Sequence, residues 1–348
     1  MNKIKPSDYC NISKFKEGET IMGIVIQKFG GTSLRNLNNQ SEFLNLVKKE
    51  KQIGSKLVVV VSAMGRGGEP YATDTLINQL EKINTTINPK KKDLIMSVGE
   101  IISAALVSHL LESEGLPSEA LTGFQAGIIT DDNFNSSKII DINTDKIQKY
   151  LNENKIVVVA GFQGATEDLD ITTLGRGGSD TTAVALGGYL KAERVDIFTD
   201  VPGVAVTDPR LVPTARYIEK ISYDDMYRLA ITGATVIHPN AVLLGKKYNI
   251  PIQILSTFTD DNGTLISNDK NNLKITGFGI KRQENNSIIS FIFNDDYKDE
   301  IKKELDKFLT NEKDNLINTK YFNDQASIEV KNELLPEFLQ RLYSNFFY

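Results

Sequence analysis

Tryptophan is absent from this 348-residue chain, cysteine occurs once and histidine occurs twice. The single cysteine, Cys10, excludes an internal disulfide framework and a cysteine-based zinc site. The phenylalanines and tyrosines are scattered along the chain rather than grouped. The sequence therefore offers no disulfide scaffold, no cysteine-based metal centre and no aromatic platform for stacked bases.

The chain also lacks an excess of basic residues and a long apolar run. It carries 40 lysines and arginines against 45 aspartates and glutamates, which gives a net charge of −5. Binding to nucleic acid requires a basic surface, so it is not expected. The sequence contains no run of 18 apolar residues, so no membrane span is predicted. Residues 1–20 are too polar for a secretory signal. We therefore expect a soluble cytoplasmic protein without nucleic-acid or membrane partners.

Strand and helix patterns alternate along most of the chain. Apolar, β-branched runs at 57–62, at Ile156–Ala160 and at 195–199 are typical of strands that helices cover on both faces. Patterns of helical period lie between them, for example at 94–111 and 181–190. This alternation predicts an α/β fold, a three-layer αβα sandwich around a mostly parallel sheet. Ligands bind at the carboxyl ends of the strands in such sheets.

Composition divides the chain into three parts. Residues 1–21 are polar and predict an N-terminal arm, and residues 22–267 contain the α/β pattern. Asn, Asp, Gly and Ser dominate residues 259–273, which predicts a linker. Residues 268–348 then predict a small α+β module. Its expected elements are strands at 275–280, 288–293, 316–322 and 327–331 and helices at 295–309 and 334–347.

The segment KFGGTS at 28–33 has the composition of an anion-binding loop. A strand delivers Lys28 to the loop, and Gly30 and Gly31 allow the backbone to approach an anion closely. Thr32 or Ser33 is suited to cap a following helix. The alternative is a Gly-Gly turn beside a solvated lysine.

The segment LGRGGSDTT at 174–182 is more informative, because it combines three glycines with a cation and a carboxylate before an apolar helix. Gly177 and Gly178 can form a nest of N–H groups, and Ser179 is suited to cap the helix. The planar guanidinium of Arg176 matches a carboxylate, and Asp180 is suited to orient Lys28. The alternative is a glycine-rich helix start with a surface arginine.

A third segment follows the strand at 195–199. It reads TDVPGV at 199–204 and continues to TDPR at 207–210. Asp200 comes directly after the buried strand, where a nucleotide could lie, and Arg210 could reach phosphate oxygens. A loop of this composition is more often only a turn.

Eight segments together resemble the aspartate kinases of the amino-acid kinase superfamily, in order and in spacing. They are KFGGTS (28–33), VVVSAMG (59–65), SVGE (97–100), GFQG (161–164), LGRGGSDTTAVALG (174–187), FTDVPGV with TDPR (198–210), GATVIHP (233–239) and STFTDDNGTLI (256–266). The resemblance implies an αβα sandwich that uses MgATP, with ATP and Mg²⁺ as cofactors. It also implies phosphorylation of the L-aspartate side chain, the first step of lysine, threonine, methionine and diaminopimelate biosynthesis. A homodimer is expected by the same analogy.

The resemblance also implies a role for each matching residue. Lys28 and Asp180 match catalytic residues, and no residue is expected to bind a metal directly. The residues that match a nucleotide site are Lys28, Phe29, Gly30, Gly31, Thr199, Asp200, Arg210 and Thr235. The residues that match the aspartate site are Thr73, Glu100 for the ammonium, and Arg176, Gly177, Gly178 and Ser179 for the carboxylate. His109 and His238 are interpreted as structural.

Several positions depart from the family pattern. Thr235 replaces a lysine that contacts nucleotide in the family, and Asn240 and Leu255 replace arginines. The C-terminal region predicts a single truncated ACT-like βαββα unit instead of a pair, so altered or absent lysine feedback is expected. It could serve only in dimerisation and packing. Two alternatives remain: a kinase with another acidic acceptor, and a degenerate kinase fold that acts as a binding or regulatory subunit.

Overall fold

The computed structural model describes residues 23–269 and 273–347. The predicted N-terminal arm at 1–21 lies outside the described residues. Within the described part, sixteen strands and nine α-helices are formed. The strands are β1 (Ile24–Phe29), β2 (Lys56–Val61), β3 (Ser118–Leu121), β4 (Ile128–Thr130), β5 (Ile139–Ile142), β6 (Ile156–Ala160), β7 (Gln163–Ala165), β8 (Ile171–Thr173), β9 (Arg194–Thr199), β10 (Lys220–Ser222), β11 (Ile252–Ser256), β12 (Thr264–Ser267), β13 (Ile275–Arg282), β14 (Asn286–Phe293), β15 (Leu316–Tyr321) and β16 (Gln325–Lys331). The helices are α1 (Leu37–Ile53), α2 (Thr73–Glu81), α3 (Pro89–Ser113), α4 (Asp145–Asn152), α5 (Gly178–Leu190), α6 (Tyr223–Thr232), α7 (Pro239–Tyr248), α8 (Lys298–Asn311) and α9 (Leu335–Phe347).

The main sheet has eight strands in the order β10-β12-β11-β9-β1-β2-β6-β3. All neighbours in it are parallel except β11 and β12. Alternate side chains of one strand enter different cores: Val58 and Val60 of β2 face one apolar cluster, and Val59 and Val61 face another. Burial on both faces explains the continuous valine run. The predicted α/β fold with a mostly parallel sheet is confirmed.

A second, four-stranded sheet has the order β5-β4-β7-β8. Only β4 and β7 are parallel in it. Its strands are three or four residues long. The strand β8 ends at Thr173 and therefore delivers the chain directly into the glycine-rich segment at 174–182.

The third sheet is antiparallel, with the order β13-β14-β16-β15. The stretch from β14 through α8, β15 and β16 to α9 has the predicted βαββα connectivity. The strand predicted at 275–280 is β13, which precedes this unit and pairs along the free edge of β14. The sheet packs on α6, where Arg228 forms an ion pair with Asp324 at 2.6 Å. Phe278 of β13 and Leu229 of α6 belong to the same apolar cluster.

Short or polar elements were missed from the sequence. These are α2, β7, β8, β10 and β12. The predicted linker at 259–273 is wrong in its middle, because Thr264–Ser267 forms β12 of the main sheet. Thr264 explains why a polar segment can pair there. Its buried hydroxyl accepts a hydrogen bond from Val204 N–H at 2.8 Å and donates one to Ile218 O at 2.5 Å.

One described helix, α3, is long and apolar enough to cross a bilayer by length and composition alone. Half of its most apolar 18-residue window is buried inside the protein. The buried face carries the carboxylates of Asp93 and Glu100 among its apolar side chains. This helix therefore forms part of the core described here.

Candidate active site

The loops that carry the sequence motifs meet at the carboxyl ends of four neighbouring strands. In the sheet these strands stand in the order β9-β1-β2-β6. The backbone N–H of Ser62, after β2, donates to Phe29 O, and Gly161 N–H, after β6, donates to Val61 O. The ends of the strands are therefore level, which places the loops side by side.

Lys28 and Asp180 form an ion pair across this edge. The ammonium of Lys28 in β1 lies 2.7 Å from Asp180 Oδ1 in the first turn of α5. Only 13% of the lysine side chain and 11% of the aspartate side chain are exposed. The positive end of the helix dipole favours a carboxylate at this position. The pair fixes one cation at the mouth of the site, and the predicted relation between these two residues is present.

The loop after β1 requires glycine at position 31. A Cβ atom there would overlap the carbonyl oxygen of Ala63, and Gly31 O also accepts a hydrogen bond from Gly65 N–H at 3.3 Å. The prediction that Thr32 or Ser33 caps the next helix is wrong. The side chain of Asn36 caps α1, and the Ser33 hydroxyl lies 2.7 Å from Thr257 Oγ1.

Phe29 faces the core rather than the loop. Its ring stacks on Phe198 with centroids 4.7 Å apart and meets Phe43 edge-on at the same distance. The side chain is completely buried. Any contact between Phe29 and a nucleotide would therefore come from its main chain.

Glu100 presents a buried carboxylate with one unused oxygen. Its Oε1 accepts a hydrogen bond from Ala63 N–H at 3.0 Å, and Oε2 has no hydrogen-bond partner in the described part of the chain. The residue is 3% exposed. Burial raises the pKa of Glu100 to about 8, and the Ala63 N–H opposes that rise. A buried acceptor without a partner is costly unless a ligand supplies the donor.

Gly177 immediately precedes α5, which makes the predicted capping by Ser179 wrong. Gly177 is the N-cap residue with φ at +66°, and no side chain caps this helix. Ser179 lies one residue into α5, after Gly178, and packs against Gly161. The first N–H groups of a helix have no partner within it. Here Gly178 N–H donates to Gly175 O at 3.0 Å, so the predicted nest that includes this N–H is not formed, and the N–H groups of Ser179 and Asp180 are left as the donors at this end. Arg176 precedes them, exposed to solvent and without an ion pair to any residue in 23–269 or 273–347.

His238 lies against this loop. A Cβ atom on Gly177 would overlap the His238 side chain, and His238 Nδ1 accepts a hydrogen bond from Asn240 N–H at 3.4 Å at the start of α7. Burial lowers the pKa of His238, and the Asp180 carboxylate opposes this effect. The capping contact agrees with a structural role. The proximity of His238 to Gly177 was not predicted, because the two residues are 61 positions apart.

The residues of the predicted nucleotide site are spread over more than one loop. Asp200 follows β9 and forms an ion pair with Arg66 at 3.1 Å, which joins the loop after β2 to the loop after β9. Thr199 Oγ1 lies 3.3 Å from Asp200 Oδ1. Arg210 is largely exposed and pairs with Asp208 at 2.8 Å. Thr235 is exposed between α6 and α7. Arg66 was not predicted as a site residue.

Thr73 begins α2, which packs against α3, with Leu76 of α2 beside Gly99 of α3. No cluster of three or more His, Cys, Asp or Glu that could hold a metal occurs in residues 23–269 and 273–347. The carboxylates of Asp180 and Asp200 each pair with a cation. A magnesium ion entering with ATP would therefore be held mainly by phosphate oxygens and water.

The pattern of the amino acid kinase family matches residues 23–256, about two thirds of the chain. The chain belongs to the amino acid kinase family. Within this family it is 47% identical over 248 residues to the aspartokinase of Geobacillus stearothermophilus, covering 71% of this chain and 60% of that protein. It is 46% identical over 246 residues to aspartokinase 1 of Bacillus subtilis, covering 71% and 61%. The chain thus spans about three fifths of the length of these curated relatives.

Solved structures of family members have the same fold. Escherichia coli aspartokinase III in complex with aspartate and ADP superposes with a TM-score of 0.78, at 23% identity, over 93% of this chain and 100% of that one. Aspartate kinase from Synechocystis gives a TM-score of 0.63 at 33% identity, over 90% of this chain and 54% of that one. The first likeness concerns the fold alone.

Proposed function

We propose that this chain is an aspartate kinase, which transfers the γ-phosphoryl group of ATP to the side-chain carboxylate of L-aspartate and forms 4-phospho-L-aspartate. Glu100 is the observation that carries the proposal. A buried carboxylate with an unused oxygen suits the ammonium group of an amino acid. The similarity to aspartokinases at 46–47% identity supports the same substrate.

In this proposal four side chains hold the acceptor and donor in place. Glu100 binds the substrate ammonium, and Arg176 forms a bidentate contact with the α-carboxylate, which lies against the main chain of Gly177, Gly178 and Ser179. Thr73 contributes a further substrate contact. Lys28, oriented by Asp180, lies where the transferring phosphoryl group develops negative charge.

The nucleotide half of the proposal uses the loops after β1 and β9. The main chain of Phe29, Gly30 and Gly31 binds phosphate oxygens of MgATP. Around the rest of the nucleotide we place Thr199, Asp200, Arg210 and Thr235.

The reaction needs no general base. The acceptor carboxylate is already ionised at neutral pH, so one of its oxygens attacks the γ-phosphorus directly. The bond from the γ-phosphorus to the bridging oxygen breaks, and that oxygen leaves with ADP. Catalysis then consists of bringing two anions together and neutralising their repulsion.

Trapping of the acyl phosphate with hydroxylamine tests the proposal. Purified protein is incubated with MgATP and L-aspartate, L-glutamate or other acidic metabolites, and hydroxamate is measured. We expect hydroxamate with aspartate. Hydroxamate only with another acid would support the alternative of a changed acceptor. No hydroxamate with any acid, together with measurable ATP binding, would support the binding or regulatory subunit.

We further propose a cytoplasmic homodimer, with residues 22–267 as the catalytic domain and residues 268–348 as a single ACT-like module for regulation or dimerisation. Sedimentation of the purified chain tests the dimer. A monomer at micromolar concentration would contradict it.

A further inference from the structure

Asp93 is a completely buried carboxylate that the proposed mechanism does not use. No cation in the described part of the chain pairs with it. Three donors surround it instead. Asn135 N–H lies 2.9 and 3.1 Å from its two oxygens, Thr173 N–H donates to Oδ2 at 2.9 Å, and the Thr173 hydroxyl donates to Oδ1 at 2.7 Å.

These contacts fasten three segments to one another at one point. Asp93 belongs to α3, Thr173 is the last residue of β8, and Asn135 lies in the loop between β4 and β5. The loop and β8 are also joined directly, because Ser137 N–H donates to Thr173 O at 2.9 Å. Thr173 is thus held through its N–H, its hydroxyl and its carbonyl.

Both proposed ligands of the substrate amino acid depend on this junction. Glu100 lies seven residues after Asp93 on the same buried face of α3, which is about 10 Å along the helix axis. Thr173 is the last residue of β8, and Arg176 follows it by three residues. The Asp93–Thr173 contact therefore sets the position of the helix that carries the carboxylate relative to the loop that carries the guanidinium.

We propose that Asp93 is a positioning residue for amino-acid binding. It holds the spacing between Glu100 and Arg176, and so between the sites for the substrate ammonium and α-carboxylate. This inference rests on the proposed function. A buried carboxylate surrounded by neutral donors requires each of those hydrogen bonds, because an oxygen left without one stays unsolvated. The arrangement is accordingly rigid and does not tolerate a sliding of α3 along β8.

Three variants test this role. Asp93→Asn keeps the shape but turns an amide N–H₂ toward a donor. Thr173→Val removes only the hydroxyl contact and serves if Asp93→Asn does not fold. Glu50→Gln is the matched control, because Glu50 is also a buried carboxylate and contacts Ser55 and Arg194 at the start of β9, away from the site.

Initial rates of hydroxamate formation give KM for aspartate and for ATP separately, and thermal melting gives stability. We expect Asp93→Asn to raise the aspartate KM about tenfold or more, the effect of losing a charge-assisted hydrogen bond, with the ATP KM changed less than about twofold. Thr173→Val should give a smaller change of the same kind. Glu50→Gln should lower the melting temperature without altering either KM.

The outcomes separate the two proposals. Wild-type protein without aspartate-dependent hydroxamate would overturn the proposed function. An active wild type together with an unchanged aspartate KM in Asp93→Asn would overturn the positioning role, and so would an equal rise of both KM values. In an Arg176→Ala background, we expect Asp93→Asn to add little to the aspartate KM. Fully additive effects would likewise contradict the inference.

Discussion

The ammonium of Lys28 lies 2.7 Å from the carboxylate of Asp180 and joins the end of β1 to the first turn of α5. The two residues are 152 positions apart in sequence, and each belongs to one of the two glycine-rich motifs. This ion pair connects the glycine-containing segment at 28–33 to the helix that follows Arg176. The first prediction therefore concerns the loss of this ion pair.

Lys28→Ala should lower kcat by about a hundredfold or more, because it removes a fixed cation from the transferring phosphoryl group. Circular dichroism should show an unchanged fold. Lys48→Ala is the control, because it breaks a surface ion pair with Glu114 far from the site. Turnover near that of the wild type would remove Lys28 from the mechanism.

Arg176→Ala should raise KM for aspartate by about tenfold to a hundredfold and leave KM for ATP nearly unchanged, because only the amino acid has a carboxylate to pair with. Arg176→Lys keeps the charge but loses the planar fork, and it should recover only part of the affinity. Steady-state kinetics with each substrate varied measures both effects. Equal changes in the two KM values would count against the assignment.

Binding of aspartate should release a proton below pH 8. In the free protein the raised pKa of Glu100, about 8, keeps the carboxyl largely protonated at neutral pH. An ammonium ligand requires the ionised form, so affinity should rise with pH between about 6 and 8. Calorimetric titrations in phosphate and in Tris, whose ionisation heats differ, measure the release directly. The same heat in both buffers would rule it out.

Glu100→Gln is the companion variant for that measurement. It should bind aspartate more weakly and show no buffer-dependent heat. The raised pKa of Glu100 also determines how folding stability changes with pH. The folded-state pKa lies above the unfolded value, so the stabilisation from neutral Glu100 is complete below pH 4.5 and is lost as pH rises toward 8. Ligand-free Glu100→Gln should therefore lose less stability than the wild type over that range.

Thr235→Lys should tighten ATP binding, because Thr235 is exposed between α6 and α7 and a lysine there would add a cation near the nucleotide. A surface charge of this kind is worth about 1 kcal/mol or less, or up to about fivefold in Kd. Thr235→Gln adds length without charge and is the control. If both variants bind ATP like the wild type, the missing lysine does not matter.

Gly177→Ala should cost more stability and more activity than Gly115→Ala. Both glycines have positive φ, at +66° and +75°, so both substitutions strain the backbone by about 1 kcal/mol. Only at Gly177 would the new Cβ atom also overlap His238, whereas nothing lies within 4 Å of a Cβ at Gly115. Thermal melts and aspartate KM should separate the two variants. Equal losses of stability and activity in the two variants would show that the loop accommodates the Cβ atom at Gly177 without a further cost.

Much of the main sheet could be predicted from the sequence, because continuous β-branched runs mark strands buried on both faces. The run of valines in β2 and the IVVVA of β6 are examples. The strand β12 could not be predicted in this way. Its place in the sheet depends on hydrogen bonds of Thr264 to residues about fifty positions away, which no local pattern encodes.

The residues of the candidate site likewise divide into those that a local sequence pattern predicts and those that it does not. Lys28, Arg176 and Asp180 lie in glycine-rich motifs whose composition suggests an anion site. Asp93 has no such neighbourhood, and its partners Asn135 and Thr173 are 42 and 80 positions away. Capping was also misassigned at Ser179, because the left-handed conformation of Gly177 starts the helix without a side-chain acceptor.

The seating of β13 on α6 has a consequence for how the protein melts. Phe278 and Phe291 of the third sheet share one continuous apolar cluster with Leu229 of α6 and with Ile26 of the main sheet. Neither part can open without exposing the interior of the other, so heating should produce a single calorimetric transition. A small molecule that binds the third sheet would then raise the melting temperature of the whole protein, including the residues that it does not contact.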